Sequence, residues 1–329
     1  MSAPAPVVTS KERQLWTACT EGDLDLVIQL SSDASVDVNW ADSAERRTSL
    51  YRACGHGHAA AAEILLKHPH ILVNKSQKDE ATPFLIACEQ GHEEVVRLLM
   101  ADPRVDVNLH RFPFSTPFFQ TCDQGHLAVI ELLLADPRVR IHDGNYNGCS
   151  PLWIVAHCGH LQVAQRLLAS NHAWDIKAKT HDGPSPWNNK SALEIANYEA
   201  IAPAKGDDET DERFLRRTSN CPIIATWLEA YEANPAATRQ RLRMLPDLSG
   251  PFIAEVFALV VFICDELLTI KTSVLSSDTQ TARFFLIATQ LPMELQMALC
   301  NRLFESRKDI VLTKHSEPAF KNLARLLEN

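Results

Sequence analysis

A unit of 34 residues recurs along the first half of the chain. The dipeptide Gly-His stands at residues 57–58, 91–92, 125–126 and 159–160. Thr or Ser precedes each glycine by nine residues, and in three of the four copies Pro follows it directly. Such regularity is typical of an array in which each unit buries its apolar face only by stacking on its neighbours.

The pattern within each unit predicts two short helices. The Thr or Ser is an N-cap whose hydroxyl accepts an unpaired N–H, and Pro suits the first helical position because it has no N–H to lose. The glycine suits the left-handed position that ends the first helix. A second, amphipathic helix ends in paired leucines such as Leu98 and Leu99, after which Asp102-Pro103 breaks it.

Cysteines and other small residues recur in the first helices, as in Ala53-Cys54 and Ala87-Cys88. They allow neighbouring helices to approach closely and predict core packing rather than nucleophilic chemistry. The nine cysteines are an odd number and lie mostly within apolar helical patterns. This usage favours reduced, buried thiols, and therefore the cytoplasm or the nucleus, over a secreted disulfide framework.

These motifs resemble ankyrin repeats over about residues 12–177. The family pattern is Thr-Pro-Leu-His-x-Ala, then Gly-His, paired leucines and Asp-Val-Asn. The resemblance implies protein binding without catalysis, cofactor or metal. Pro103-Arg104-Val105 stands where the family has Gly-Ala, which gives 34 residues in the unit rather than 33. The family's helical histidine is replaced in turn by Trp16, Tyr51, Leu85, Phe119 and Trp153.

The expected fold class is all-α, an ankyrin-type α-solenoid of five to six repeats followed by a small α-helical domain. Residues 1–11 are expected to be flexible, 204–219 to form an acidic linker, and 220–329 to form the helical domain. The array itself is expected to span 12–203, with repeats near 12–45, 46–79, 80–113, 114–147 and 148–181 and a degenerate copy at 182–203.

Two alternative functions concern the C-terminal third. Leu291-Pro292, Glu294-Leu295 and the leucines that follow are similar to the opening of an F-box, which would make residues 291–329 part of a ubiquitin-ligase substrate adaptor. A helix that begins with Pro gives the same letters. An enzyme with its site in the helical domain is the other alternative, and His315 is the histidine it would use.

Charge and hydropathy exclude several classes of partner. With 32 Lys and Arg against 41 Asp and Glu, the net charge of −9 offers no broad positive surface for a phosphate backbone. The most apolar run, residues 256–264, is far shorter than the roughly 20 residues of a membrane-spanning helix. The residues MSAPAPVVTS lack the features of a signal peptide. We expect a monomer that binds another protein, with neither nucleic acid nor membrane insertion.

No catalytic or metal constellation stands out from the repeat. The histidines of the Gly-His pairs follow the repeat period and are expected to be structural. Cys149, His157, Cys158 and His160 are the densest set of possible metal ligands, but their spacing differs from the paired ligands of zinc sites. A glycine-rich phosphate loop is also missing from the sequence.

A binding face can be assigned from the resemblance, which implies a concave surface lined by the first helices and by the finger turns between repeats. Residues 108–115 form the most unusual finger, because Phe112 and Phe114 flank a proline beside Arg111. Exposed aromatic residues with Arg are typical of interface hot spots, although one or both rings could instead pack on the neighbouring finger or on Tyr146. The candidate protein-binding residues are Arg52, Ile86, Glu89, Gln90, Arg111, Phe112, Phe114, Gln120, Asp123, Gln124, Tyr146 and Ile154.

The paired leucines generate a stability prediction. If Leu98 is buried between stacked repeats, Leu98→Ala should lower the free energy of unfolding by about 2–5 kcal/mol. A thermal melt that shows no shift would contradict its burial.

Overall fold

A computed structural model describes residues 10–181, 187–201, 205 and 209–245, together with positions 248, 253, 256–259, 261, 293, 296, 297, 300 and 319. Every regular element within these residues is an α-helix, which confirms the predicted all-α class. The chain divides into two compact units. The first comprises residues 1–164 and 173–228, and the second comprises 165–172 and 229–329.

Five helix pairs follow one another along the first half of the chain. The first helix of each pair is called the inner helix and the second the outer helix. The inner helices pack on one another in sequence, and the outer helices of the first four pairs pack likewise. The pairs are α1 Lys11–Glu21 and α2 Leu24–Ser31, α3 Ser49–Gly55 and α4 Ala59–Leu66, α5 Pro83–Gln90 and α6 Glu93–Ala101, α7 Pro117–Gln124 and α8 Leu127–Ala135, α9 Pro151–Cys158 and α10 Leu161–Ala169.

The predicted helix ends are confirmed at atomic detail. The hydroxyls of Thr48, Thr82 and Thr116 each accept the backbone N–H three residues further on, at 3.1–3.2 Å. Ser150 caps α9 in the same way. At the other end of α5, Gly91 is left-handed with φ +74°, a conformation that costs a residue with a side chain about 1–2 kcal/mol.

Each Gly-His pair joins two successive repeats. The imidazole of one repeat lies against the glycine of the repeat before it, and its Nε2 donates to a backbone carbonyl there. His126, for example, donates to the carbonyl of Glu89 at 2.9 Å, and a Cβ added to Gly91 would lie 2.5 Å from its Nδ1. The glycine is therefore required twice, once for its backbone angle and once for the ring that covers it. The same bond joins His58 to Thr20, His92 to Gly55 and His160 to Asp123.

The Asp-Pro-Arg insertion supplies a second link between repeats. Arg138 is held by the Asp136 carboxylate at 2.6 Å and donates to the carbonyl of Met100 in the repeat before, at 2.7 Å. Arg104 makes the equivalent pair of bonds with Asp102 and Leu66. Because the last carbonyls of a helix have no partner within it, each guanidinium satisfies one of them across the junction.

The chain departs from the expected acidic linker over residues 204–219. Helix α12, Asp211–Ala233, begins inside that segment, and its residues up to 228 belong to the first unit. Asn220 donates to the carbonyl of Gly159 at 2.9 Å, and the backbone of Arg217 occupies the place against Gly159 where the next repeat's histidine lies elsewhere.

The degenerate copy contributes an inner helix, α11 Ala192–Ile201, which packs on α9. The first half of α12 therefore takes the place of a sixth outer helix. The prediction of a linker was wrong because α12 begins with acidic residues. Its buried apolar side chains come later in the helix, at Cys221, Ile224 and Leu228. At the other end, Ser10 caps α1 and Lys11 is helical, so the last two residues of the expected flexible segment 1–11 are ordered. Residues 1–9 lie outside the described residues.

The second unit is described chiefly at α13, Pro235–Arg243, which Asn234 caps. Arg243 donates to the carbonyl of Ala169 at 2.9 Å and to Asn171 at 2.6 Å. Arg239 donates to the carbonyl of His172 at 3.3 Å. Arg243 thus binds a carbonyl at the end of α10, and Arg239 binds one in the segment that follows. Most of residues 246–329 lies outside the described residues, and the remaining bounds of the expected helical domain stay a prediction.

The expected burial of Leu98 is wrong, because Leu98 is half-buried whereas Leu99 is fully buried. Leu99→Ala should therefore lower the free energy of unfolding by about 2–5 kcal/mol. Leu98→Ala is the matched control and should cost less, since less apolar area leaves water. Urea unfolding followed by circular dichroism measures both, and equal losses would contradict this assignment.

Stability should also fall in mild acid because of His160. Burial, reinforced by the charge of Arg216, lowers the pKa of His160 to about 4. The unfolded chain, with a histidine pKa of about 6.5, takes up the proton first as the pH falls. The contribution of His160 is therefore complete above about pH 6.5 and falls by about 3 kcal/mol towards pH 4.

Urea midpoints measured between about pH 7 and pH 4.5 test this dependence. His160→Gln should flatten the dependence in that window while lowering the midpoint at neutral pH. An unchanged slope in the variant would show that other groups cause it.

Candidate functional site

The candidate site is the side of the array that carries the inner helices and the fingers. The fingers are the turns before the inner helices, at residues 40–47, 74–81, 108–115, 142–149 and 176–181 with 187–190, numbered first to fifth. The exposed sides of α3, α5, α7 and α9 are called the inner-helix face. Backbone bonds tie the fingers together: Lys78 donates to the carbonyl of Glu45, Phe112 to Asp79, and His181 to Asn147.

The third finger presents aromatic rings to solvent. Phe112 is 70% exposed and Phe114 is 58% exposed, while Tyr146 on the fourth finger is 56% exposed. The ring of Phe114 lies 4.7 Å from the His110 ring of the same finger, measured between centroids. Because both rings are more than half exposed, the structure differs from the alternative in which one or both phenylalanines pack on the neighbouring finger or on Tyr146.

Arg111 holds the third finger to the inner-helix face. Its Nη1 donates to both oxygens of the Glu89 carboxylate, at 3.0 and 3.1 Å, and this ion pair is largely buried. A bridge between Arg111 and Ser115 closes the base of the same finger. The guanidinium thus positions the two phenylalanines, and its charge is already matched by Glu89.

The inner-helix residues are exposed to different degrees. Gln90 and Gln124 are exposed, while Ile86, Asp123 and Ile154 are half-buried. Arg52 is half-buried too, because it lies over the Trp16 ring at 4.6 Å and donates to Thr20.

The expected exposure of Gln120 is wrong. Gln120 is only 7% exposed, because its side-chain amide folds back and donates to the Ser115 hydroxyl at 2.6 Å. It supports the base of the third finger instead of facing a partner.

A buried ion network lies at the last described end of the inner-helix face, and no sequence pattern predicts it. Glu199 of α11 is 1% exposed and accepts from His157 Nδ1 at 3.0 Å and from the Arg217 guanidinium. Arg217 also pairs with Glu209 at 2.8 Å. The rings of Trp153 and Trp187 lie about His157, with centroids 5.2 and 5.1 Å away. The network joins α9, α11 and α12 into one body.

Comparison with family models identifies three ankyrin repeats at residues 15–111 and one more at 147–181. The chain contains ankyrin repeats. The family models leave residues 112–146 unmatched between these repeats. The structure has the helix pair α7 and α8 there, so the series of repeats is continuous. No curated protein matches the chain.

The cysteines of the ankyrin array are packing residues. The eight cysteines that the structure describes are free thiols and buried. Burial raises the pKa of Cys19 and of Cys158 to about 12, which keeps these thiols protonated at neutral pH. A protonated thiol is a poor nucleophile and a poor metal ligand. No group of three or more possible metal ligands comes together among the described residues.

Two expectations for the C-terminal third are barely touched by the structure. The F-box-like segment 291–329 and His315 lie almost entirely outside the described residues. Within the described part of the chain, no helix has both the length and the apolar character to cross a membrane.

The ion network generates a prediction for the end of the ankyrin array. Glu199→Gln leaves the buried Arg217 with one carboxylate instead of two, and should lower the free energy of unfolding by about 3–5 kcal/mol. Glu63→Gln, which breaks an exposed pair with Lys67, is the matched control and should cost less than about 1 kcal/mol. Chemical unfolding measures both variants, and a loss at Glu199 no larger than the control's would refute the role of the network.

Proposed function

We propose that this chain is a non-catalytic scaffold or adaptor that binds another protein through its inner-helix face and fingers. Ankyrin repeats generally mediate protein–protein interaction. The observation that carries the proposal is the exposure of Phe112 and Phe114 on a finger that the rest of the array holds in place. Large exposed aromatic side chains on a rigid frame are the usual anchors of an interface.

Rigidity of the frame supports this proposal. The third finger is bonded to the second through Phe112 and Asp79, and to the inner-helix face through Arg111 and Glu89. Groups that are already ordered lose little conformational entropy on binding, so more of the contact energy appears as affinity. Fixed rings also favour one partner surface over others, since the array cannot adjust to a poor fit.

The charge of the site favours a partner with some basic character. Arg111 is neutralised by Glu89, and the half-buried carboxylate of Asp123 adds negative charge nearby on the inner-helix face. The net charge of −9 acts in the same direction at longer range. Complementary charge mainly raises the association rate and discriminates among partners. It also disfavours nucleic acid, whose backbone would be repelled.

We also propose an oligomeric state and a cellular compartment for the chain. We take the chain to act as a monomer in the cytoplasm or the nucleus. The buried free thiols support a reducing compartment, because the described cysteines form no disulfide framework.

The test is quantitative capture of partners from the native cell lysate, with the full chain as bait and mass spectrometry as the readout. Phe112→Ser combined with Phe114→Ser should reduce the yield of specific partners by at least tenfold. The matched control is Leu24→Ser with Ile28→Ser, which removes exposed apolar side chains from the outer helix α2.

The control should leave the yield unchanged, and circular dichroism should show both variants folded. Equal capture by the wild type and the finger variant would remove the third finger from the binding surface. Partners that depend on the control pair instead would move the interface to the outer helices.

A further inference from the structure

A backbone hydrogen bond that joins two successive fingers is called a rung, and one rung of the series is missing. In three junctions a donor on one finger pairs with an acceptor 33 or 34 residues earlier: Lys78 with Glu45, Phe112 with Asp79, and His181 with Asn147. By the same offset the remaining rung would join the N–H of Tyr146 to the carbonyl of Pro113. Within the described residues that bond is absent, and neither group has another partner.

Two buried polar atoms lie on the fingers that flank this missing rung. His110 Nδ1, on the third finger, and Asn147 Oδ1, on the fourth, are shielded from solvent and have no hydrogen-bond partner. Buried polar atoms without partners are uncommon in folded proteins, because each costs the free energy of a lost hydrogen bond to water. Their presence on these two fingers distinguishes the junction from the others.

The third and fourth fingers are neighbours, because the inner helices that follow them, α7 and α9, pack together. The most exposed rings of the site belong to the same two fingers, namely Phe112, Phe114 and Tyr146. Unpaired backbone groups and exposed rings thus occur at one junction. Together these are the components of a site that recognises main chain and apolar side chains at once.

We infer that the junction between the third and fourth fingers binds an extended peptide segment of the protein partner through its main chain, with Tyr146 N–H as donor and the Pro113 carbonyl as acceptor. This inference rests on the proposed function and names the segment's conformation. An extended segment has free N–H and C=O groups at the spacing of a strand, whereas a helix has already used its own. Alternate apolar side chains of the segment would contact the aromatic rings.

Residue 146 permits a clean test of the main-chain bond. Tyr146 is the second residue of a turn closed by a bond from Gly148 N–H to the Asn145 carbonyl, at 3.0 Å. Proline is favoured at that position of a turn, so Tyr146→Pro removes the N–H without opposing the local fold. Tyr146→Ala removes the ring and keeps the N–H. The difference between the two variants therefore reports the main-chain donor alone.

The probe is a 12-residue peptide selected from a random displayed library against the full chain, and its dissociation constant is measured by calorimetry. Tyr146→Pro should weaken binding about fivefold beyond Tyr146→Ala, as expected for one hydrogen bond. Leu24→Ala, at an exposed position of the outer helix α2, should leave the constant unchanged. Amide exchange should be slow at Phe112 in the free chain, and at Tyr146 only when the peptide is bound.

Several outcomes would overturn the inference. Equal affinities of Tyr146→Pro and Tyr146→Ala, with Tyr146 exchange unaltered by peptide, would place the peptide elsewhere. Failure of the library to yield any binder would reject peptide recognition, and protection of Tyr146 that grows with protein concentration would assign the junction to a second copy of this chain. If native partners require Phe112 and Phe114 but tolerate Tyr146→Pro, the binding face stands and main-chain docking fails.

Discussion

The contact between a histidine and the glycine of the preceding repeat is the constraint on which the array depends. It sets the distance between successive inner helices, because the ring fills the space that any glycine side chain would need. The imidazole bond to a carbonyl of the preceding repeat then fixes the rotation of one unit on the next. Every other feature of the array, including the alignment of the fingers, follows from units stacked at a constant step.

Much of this architecture could be predicted from the sequence, because local rules determine it. Thr82 and Thr116 reveal their helix starts and Gly91 reveals a helix end through backbone chemistry that involves only a few neighbouring residues. The structural role of the periodic histidines is predictable for another reason, because they recur with the period of the repeat. Features set by distant residues were missed, above all the outer-helix role of α12. Its contact with Gly159 joins residues about 60 positions apart and follows no repeat period.

The candidate site shows the same division. The exposure of Phe112 and Phe114 could be anticipated, since a proline-containing turn between helices lies on the surface. The burial of Gln120 could not, because it depends on a hydroxyl five residues earlier that offers a closer partner than water. The burial of Glu199 could not be predicted either. A glutamate in a weakly periodic helix is expected on the surface, and only the contacts with His157 and Arg217 explain its burial.

The guanidinium bridges have a consequence for how such an array can change in length. Arg138 reaches Met100 and Arg104 reaches Leu66, in each case 38 residues back along the chain. Loss of residues 80–113 would bring Arg138 into register with Leu66, so every bridge would again find a carbonyl. Loss of part of a repeat between the bridged residues would leave a charged donor and a helix end unmatched. The length of the array therefore changes by whole repeats far more readily than by parts of them.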